Sequence, residues 1–157
     1  MPPTLLYDIS AIDLNKVIYD QEAVRKANPQ RGDMEHLNGI IFADGPSGRI
    51  IGFKDVRKDE FWIPGHIPGR PILPGVIMIE AAAQLASLFA REFHGWTGFV
   101  GFGGVEDCKF RMQVAPGTHM LLVGERVWER HRRLCCRVQG VVAGQIAFEC
   151  TIIGTQM

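Results

Sequence analysis

Two residues that can move protons, His66 and Glu80, lie 14 positions apart near the middle of the chain. Prolines stiffen the loop around the histidine, because each fixes its own φ angle; they are Pro64, Pro68, Pro71 and Pro74. Glu80 follows within a long apolar run. A histidine in a rigid loop can serve as a base, and a carboxyl group among apolar side chains can serve as an acid. The pair therefore points to acid–base chemistry near neutral pH.

The apolar run after this loop predicts one long helix over residues 75–93. Gly75 would begin the helix and would let a ligand approach the backbone closely. The free N–H groups of the first turn and the positive end of the helix dipole would attract a developing oxyanion. A base, an acid and an oxyanion site together suit proton removal next to a carbonyl with loss of a β-substituent. A lone histidine is more often structural, and that interpretation stays open at this point.

Polar residues recur along the expected helix at a spacing that places them on one face: Glu80, Gln84, Ser87 and Arg91. For Ser87 and Arg91, a solvent-facing stripe is an equally good interpretation. Glu80 differs because its neighbours are apolar, and the alanines after it allow close approach of another backbone or a substrate. Gln84, one turn further on, is placed to hold Glu80 by a hydrogen bond.

The composition is that of a single domain: the chain has 157 residues, of which 46% are hydrophobic and 22% charged. A formal net charge of zero disfavours nucleic-acid binding. The four cysteines form no CxxC pair, which favours reduced thiols in a reducing, cytoplasmic compartment. The N-terminus lacks a basic segment followed by an apolar run, so no signal peptide is expected. Residues 74–90 are the only candidate for a membrane span, but the run is slightly short, and Glu80 and Gln84 favour a buried helix.

The remaining pattern predicts a short helix and a series of strands. Asp20 is placed to cap a helix over residues 21–27, and Leu14, Val17 and Ile18 have helical spacing. The charged step at residues 57–60 is expected to be solvated. Strands are expected over residues 39–43, 49–56, 97–102, 105–114, 119–129, 133–142 and 145–153. Short separators make neighbouring strands antiparallel, and the long helix must be wrapped by this sheet or by a partner subunit.

The central stretch also resembles a known family. His-Ile-Pro-Gly-Arg-Pro-Ile-Leu-Pro-Gly-Val at residues 66–76, followed by Glu-Ala-Ala-Ala-Gln at 80–84, is similar to the signature of the (3R)-hydroxyacyl-acyl-carrier-protein dehydratases, the FabZ and FabA type. A second block at residues 102–117 is similar to the family's stretch that ends in Val-x-Pro-Gly-Asp, with Thr118 where aspartate is usual. The resemblance covers roughly residues 50–150.

The resemblance implies an α+β hotdog fold, in which an antiparallel β-sheet wraps around one long central α-helix in a single domain over residues 1–157. It implies a homodimer with two active sites at the interface, often assembled further as a trimer of dimers. The implied partner is an acyl carrier protein that carries the hydroxyacyl thioester. No metal or redox cofactor, nucleic acid or membrane span is implied.

The same resemblance assigns residues to the reaction. In the family each site takes its histidine from one subunit and its carboxylate from the other. Carried over, His66 removes the C2 proton, and the partner subunit's Glu80 protonates or orients the departing 3-hydroxyl group. The Gly75 amide helps to hold the thioester oxygen, and FabA-type enzymes have aspartate at the acid position, so the glutamate favours plain dehydration. The other residues expected at the oxyanion and substrate site are Ile67, Pro74, Val76 and Gln84.

One segment departs from the family pattern, and it supports one of two alternative functions. In residues 29–38 only Pro29, Arg31 and Leu37 correspond, although this segment lies near the substrate tunnel in the family. The alternatives are a hotdog acyl thioesterase, which would release a free thiol, and a non-catalytic acyl-binding subunit, which the divergent segment supports. The basic cluster between Arg126 and Arg137 is either a solvated hairpin or a patch that docks an acidic carrier protein.

Overall fold

The computed structural model describes residues 2–157, which form one antiparallel six-stranded sheet, two α-helices and a short 3₁₀ turn at Gly32–Met34. The strands are β1 (Gly39–Asp44), β2 (Arg49–Asp55), β3 (Val100–Phe110), β4 (His119–Arg130), β5 (Arg133–Val142) and β6 (Gln145–Gln156). The helices are α1 (Gln21–Ala27) and α2 (Gly75–Phe93). The strand order is β1-β2-β4-β5-β6-β3, so β1 and β3 form the two edges.

Helix α2 packs against one face of the sheet and supplies much of the core. Its residues Ala81, Leu85 and Phe89 are fully buried, and they share one hydrophobic cluster with Leu122 and Phe148 of the sheet. Burial of this apolar surface is the main favourable contribution to the fold. The predicted hotdog architecture, a sheet around one long helix, is confirmed. Among residues 2–157, no helix combines the length and apolar character that crossing a membrane requires.

The chain before α1 covers the opposite face of the sheet. Tyr7 is buried there, and its hydroxyl lies 2.9 Å from the carbonyl oxygen of Gly124 and 3.1 Å from that of Ile50. The Gln139 side chain accepts a hydrogen bond from the Leu6 amide at 2.9 Å and donates one to the Thr4 carbonyl at 2.9 Å. Each face of the sheet is therefore covered in part by a segment of the same chain.

The local signals around α1 have mixed outcomes. The predicted cap is present, because the Asp20 carboxylate accepts a hydrogen bond from the Ala23 amide at 2.9 Å. The helical spacing of Leu14, Val17 and Ile18 is misleading, since these residues lie outside any helix. The Ile18 amide donates instead to the Ile40 carbonyl at 2.8 Å, because edge strand β1 offers unpaired backbone groups.

The prediction of two strands separated by Gly103 and Gly104 is wrong. The structure has the single strand β3 here, with a shift in its register against β6 between Phe102 and Gly104. A Cβ atom on Gly103 would lie 2.8 Å from the Thr155 hydroxyl, so the strand needs a glycine at this close approach. The glycine pair therefore marks a β-bulge rather than a turn.

Candidate active site

The loop between β2 and α2 holds His66 by a closely spaced set of backbone hydrogen bonds. The Trp62 carbonyl accepts hydrogen bonds from the His66 amide at 2.8 Å and from the Gly65 amide at 3.2 Å. Past the histidine, the Ile72 amide donates to the His66 carbonyl at 3.1 Å. The Leu73 amide then donates to the Val114 carbonyl at 2.8 Å, which ties the end of the loop to the chain after β3. The loop is rigid through these bonds as well as through its prolines.

The His66 ring is oriented by the same loop. Its Nδ1 atom lies 3.0 Å from the carbonyl oxygen of Ile72. A carbonyl oxygen only accepts hydrogen bonds, so the neutral ring carries its proton on Nδ1 and leaves the lone pair of Nε2 free. The side chain is half-buried. This arrangement is what a general base requires.

The N-terminus of α2 shares a cavity with His66. The cavity has a volume of about 540 Å³, and its lining residues include Gly75, Val76 and Phe110. Ile77 is the first helical residue whose amide bonds back to Pro74, at 3.0 Å, so the amides of Gly75 and Val76 have no acceptor one turn earlier. The structure therefore brings the predicted base and the predicted oxyanion site together within one chain.

Gly75 is also required by packing inside the chain. A Cβ atom at this position would lie 2.7 Å from the Cζ atom of Phe110, whose ring covers the start of the helix. The two remaining predicted substrate residues differ in exposure, because Pro74 is buried before the helix and Ile67 is 48% exposed. The glycine therefore gives close approach to a side chain of its own chain as well as to the cavity.

Glu80 lies on the next part of α2 and is held by Gln84 as predicted. The Gln84 side-chain amide donates to Glu80 Oε1 at 2.8 Å. The same amide group donates to the Met34 carbonyl at 2.7 Å, and its oxygen accepts from the amides of His36 and Leu37 at 3.0 and 3.1 Å. The segment 29–38, which differs from the family pattern, therefore supports the carboxylate through Gln84.

The cavity beside Glu80 is a different one from the cavity beside His66. It has a volume of about 230 Å³, and its lining includes Ser87 from α2, Phe99 just before β3 and Phe102 within β3. Arg91, the last residue of the predicted polar face, donates instead to the Gly98 carbonyl at 3.0 Å. Within one chain the predicted base and acid thus face two separate spaces.

Sequence patterns missed a buried polar cluster beneath the histidine loop. The charged pattern predicts a solvated step at residues 57–60, but Glu60 is only 5% exposed and pairs with the fully buried Lys54 at 2.8 Å. Burial alone would raise the pKa of Glu60, but the hydrogen bond and charge of Lys54 outweigh this and hold the pKa below its usual value. His36 completes the cluster, with Nδ1 3.1 Å from the lysine Nζ atom. The sequence pattern around Lys54 and Glu60 does not indicate that these charged residues are buried.

Other candidate residues have structural explanations. The Arg126 guanidinium donates to the Gly45 and Pro46 carbonyls at 3.3 Å, and Arg137 pairs with Glu149 at 3.2 Å. These two arginines of the basic cluster are thus engaged within the chain.

The cysteines are also accounted for, since all four are free thiols. Burial raises the pKa of Cys136 and of Cys150 to about 12. Both thiols are therefore protonated at neutral pH and are poor nucleophiles.

Comparison with known proteins decides the family. The FabA-like domain matches residues 28–151. The chain belongs to the FabA-like family. Two curated relatives of FabZ type, both named 3-hydroxyacyl-[acyl-carrier-protein] dehydratase, agree with this. The Clostridium novyi (strain NT) protein is 38% identical over 111 residues, which cover 69% of this chain and 77% of that protein. The Listeria monocytogenes serotype 4b protein is 31% identical over 135 residues, which cover 85% and 93%.

Solved structures support the hotdog fold of this FabA-like chain. The dehydratase heterocomplex ApeI:P from Xenorhabdus doucetiae contains a chain that matches with a TM-score of 0.72 at 14% sequence identity. The match covers 85% of this chain and 90% of that chain. The predicted family is confirmed, and the predicted enzyme class, a dehydratase, agrees with the names of the curated relatives.

Proposed function

We propose that this FabA-like protein dehydrates (3R)-3-hydroxyacyl thioesters on an acyl carrier protein to trans-2-enoyl thioesters. The observation that carries the proposal is the Nδ1 contact of His66 with the Ile72 carbonyl, beside a cavity that is also lined by Gly75 and Val76, the first residues of α2. A free Nε2 lone pair can remove a proton next to a thioester carbonyl, and two backbone N–H donors can stabilise the charge that develops on the carbonyl oxygen. The curated relatives carry the name of this activity.

The reaction balances with these groups alone. His66 Nε2 takes the C2 proton, and the electron pair of the broken C–H bond moves toward the thioester oxygen, where the amides of Gly75 and Val76 donate hydrogen bonds. As the C2–C3 double bond forms, the C3–O bond breaks, and Glu80 gives its proton to the leaving hydroxyl group to make water. The imidazolium and the carboxylate then exchange a proton through solvent, which restores both groups.

A second copy of the chain would bring the acid to the base. Strand β3 is an open sheet edge with large apolar residues exposed along it: Phe102, Val105 and Phe110, at 48%, 40% and 52%. An exposed apolar edge strand is a template for pairing with another chain. Val76, 72% exposed, lies one helical turn before Glu80 on the same face of α2, so the start of this face also lacks a cover. We infer that two β3 strands pair and that each site combines His66 with the partner subunit's Glu80.

Turnover of a (3R)-hydroxyacyl-carrier-protein substrate tests this function. Each of His66→Ala and Glu80→Gln should lower kcat by about 10²-fold to 10⁴-fold, the usual contribution of a positioned acid or base. Exposed residues of the same types, in His119→Ala and Glu92→Gln, are matched controls and should keep the wild-type rate. Release of free thiol without enoyl product would instead identify a thioesterase. Binding without turnover would identify an acyl-binding subunit.

A further inference from the structure

The buried Lys54–Glu60 ion pair lies where the chain leaves β2 for the histidine loop. The two side chains are 0% and 3% exposed. Removing both charges from water carries a desolvation cost, and a buried ion pair is by itself weak evidence of added stability. Its hydrogen bonds, however, lead in two directions, one toward His66 and one toward Glu80.

The first direction runs through Trp62. Glu60 accepts hydrogen bonds from the Arg57 amide at 2.8 Å and from the Trp62 indole N–H at 3.3 Å. The Trp62 carbonyl in turn accepts from the His66 amide at 2.8 Å. The carboxylate therefore holds the turn from which the catalytic histidine projects.

The second direction runs through His36 and Gln84. The Lys54 ammonium lies 3.1 Å from His36 Nδ1, and the backbone amide of His36 donates to Gln84 Oε1 at 3.0 Å. Gln84 then donates to Glu80 Oε1 at 2.8 Å. One histidine and one glutamine thus connect the buried lysine to the carboxyl group that acts as the acid.

His36 has the chemistry for this connection. Burial, and next to it the charge of Lys54, lower the pKa of His36 to about 4, so the ring is neutral at pH 7. A neutral ring can accept a hydrogen bond at Nδ1 from the ammonium without adding a second positive charge. His36 also lies in the segment 29–38, which differs from the family pattern. This segment therefore contributes its own support to the carboxyl group of Glu80.

We propose that the His36–Lys54–Glu60 cluster positions both groups of the acid–base pair. Its members are positioning residues, because they touch the reacting groups only through Gln84 and Trp62. The proposal rests on the dehydratase function above. In the proposed dimer the base and the acid of one chain serve different sites, so each cluster would support both sites.

Substitutions of His36 separate positioning from packing. His36→Leu keeps an apolar volume but removes the acceptor, whereas His36→Asn keeps an acceptor oxygen near the position of Nδ1. We expect His36→Leu to lower kcat on the order of 10-fold with KM within about twofold, because small misplacements of reacting groups are costly. The kcat of His36→Asn should stay within about threefold of the wild-type value, because the retained acceptor keeps the reacting groups in place. The exposed His119→Leu is the matched control for the histidine-to-leucine change.

A readout besides activity separates this proposal from the proposed function. In ¹⁵N NMR spectra, the buried Gln84 side-chain amide should give a resonance that His36→Leu shifts and exposes to solvent exchange and that His36→Asn preserves. The Gln84→Met variant assigns this resonance, because the signal is then absent from the spectrum. A wild-type protein without dehydratase activity would overturn the proposed function, while this resonance would still decide whether the cluster holds Gln84.

If His36→Leu does not fold, Trp62→Phe tests the proposal independently through the connection from Glu60 to the histidine loop. It keeps a ring in the core and removes only the N–H bond to Glu60, so kcat should fall while the Gln84 resonance stays in place. Wild-type kcat in folded His36→Leu or in folded Trp62→Phe would overturn the proposal. The proposal would also be overturned if His36→Leu and His36→Asn lose kcat equally and the loss in each equals its loss of folded protein.

Discussion

The Nδ1 atom of His66 and the carbonyl oxygen of Ile72 lie 3.0 Å apart, across a loop that returns on itself within six residues. This contact fixes which nitrogen of the ring is free for proton transfer, because the carbonyl can only accept. The prolines of the loop restrict its backbone, so the contact is held before any substrate binds. The loop sequence thus determines the tautomer of the His66 ring as well as its place.

The half-buried His66 and the buried His36 should have opposite tautomers. His66 donates from Nδ1 to a carbonyl, whereas His36 accepts at Nδ1 from the Lys54 ammonium and therefore carries its proton on Nε2. Long-range ¹H–¹⁵N correlation spectra of the neutral rings measure this directly. An Nε2-protonated His66 would contradict the orientation of the base, and the His36 signal in the same spectrum is the internal control.

Substitution at the open edge should separate folding from assembly. Val105→Lys places a charge on β3, and we expect a folded monomer without dehydratase activity, because charged side chains on an edge strand oppose pairing. Val127→Lys is the matched control, since this β4 valine is 55% exposed and lies away from the β3 edge. Sedimentation and turnover are measured for both.

The result at β3 would also locate the interface. A dimeric, active Val105→Lys protein would place the interface elsewhere. A monomer that retains full activity would return both catalytic groups to one chain. Equal effects of Val105→Lys and Val127→Lys would show only a general response to added charge.

Local patterns predicted the parts of this molecule that depend on neighbours in sequence. The helix at Gly75–Phe93 follows from its apolar composition, and the Gln84–Glu80 hydrogen bond follows from helical spacing. The buried state of Lys54 and Glu60 could not be predicted in this way, because it depends on His36 and Trp62 folding over the pair. Charged residues in a connection between elements, such as Glu60, usually lie in solvent.

The same distinction explains the error at β3. Glycine pairs usually separate strands, so the Gly103-Gly104 pair predicts a turn between two strands. The reason for a glycine at this position is Thr155 of β6, 52 residues further along the chain, which leaves no space for a Cβ atom. Contacts between distant residues of this kind leave no periodic trace in a single sequence.

The pKa of His36 predicts a specific dependence of stability on pH. The unfolded chain has a histidine pKa of 6.5 and the folded chain one of about 4, so the unfolded state binds more protons between these values. The free energy of unfolding should therefore fall as pH decreases from 7. The expected loss from His36 is about 1 kcal/mol between pH 7 and pH 5.5.

Denaturant unfolding of wild type and His36→Leu at pH 7 and pH 5.5 measures this contribution. The window lies above the range in which most carboxylates titrate. His94, whose pKa is also lowered by burial, contributes equally to both proteins. The variant should thus show the smaller pH dependence, and an equal dependence in the two proteins would mean that His36 is not buried in its neutral form.

Mixed dimers test the shared active site most directly. His66→Ala subunits lack the proposed base and Glu80→Gln subunits lack the proposed acid, so each homodimer should be inactive. In a mixed dimer, one site receives His66 from the Glu80→Gln subunit and Glu80 from the His66→Ala subunit, and the other site receives neither. Each mixed dimer should therefore recover one working site, about half of the wild-type kcat, if the two sites act independently.

Two affinity tags, one on each variant, allow mixed dimers to be purified before turnover is measured. A tagged wild-type dimer prepared in the same way sets the full rate. Confirmed mixed dimers that stay inactive would place His66 and Glu80 of the same chain in one site, because no mixed dimer would then contain an intact pair. Recovery of activity would mean that the two separate cavities of the single chain are parts of active sites that are completed only when two chains meet.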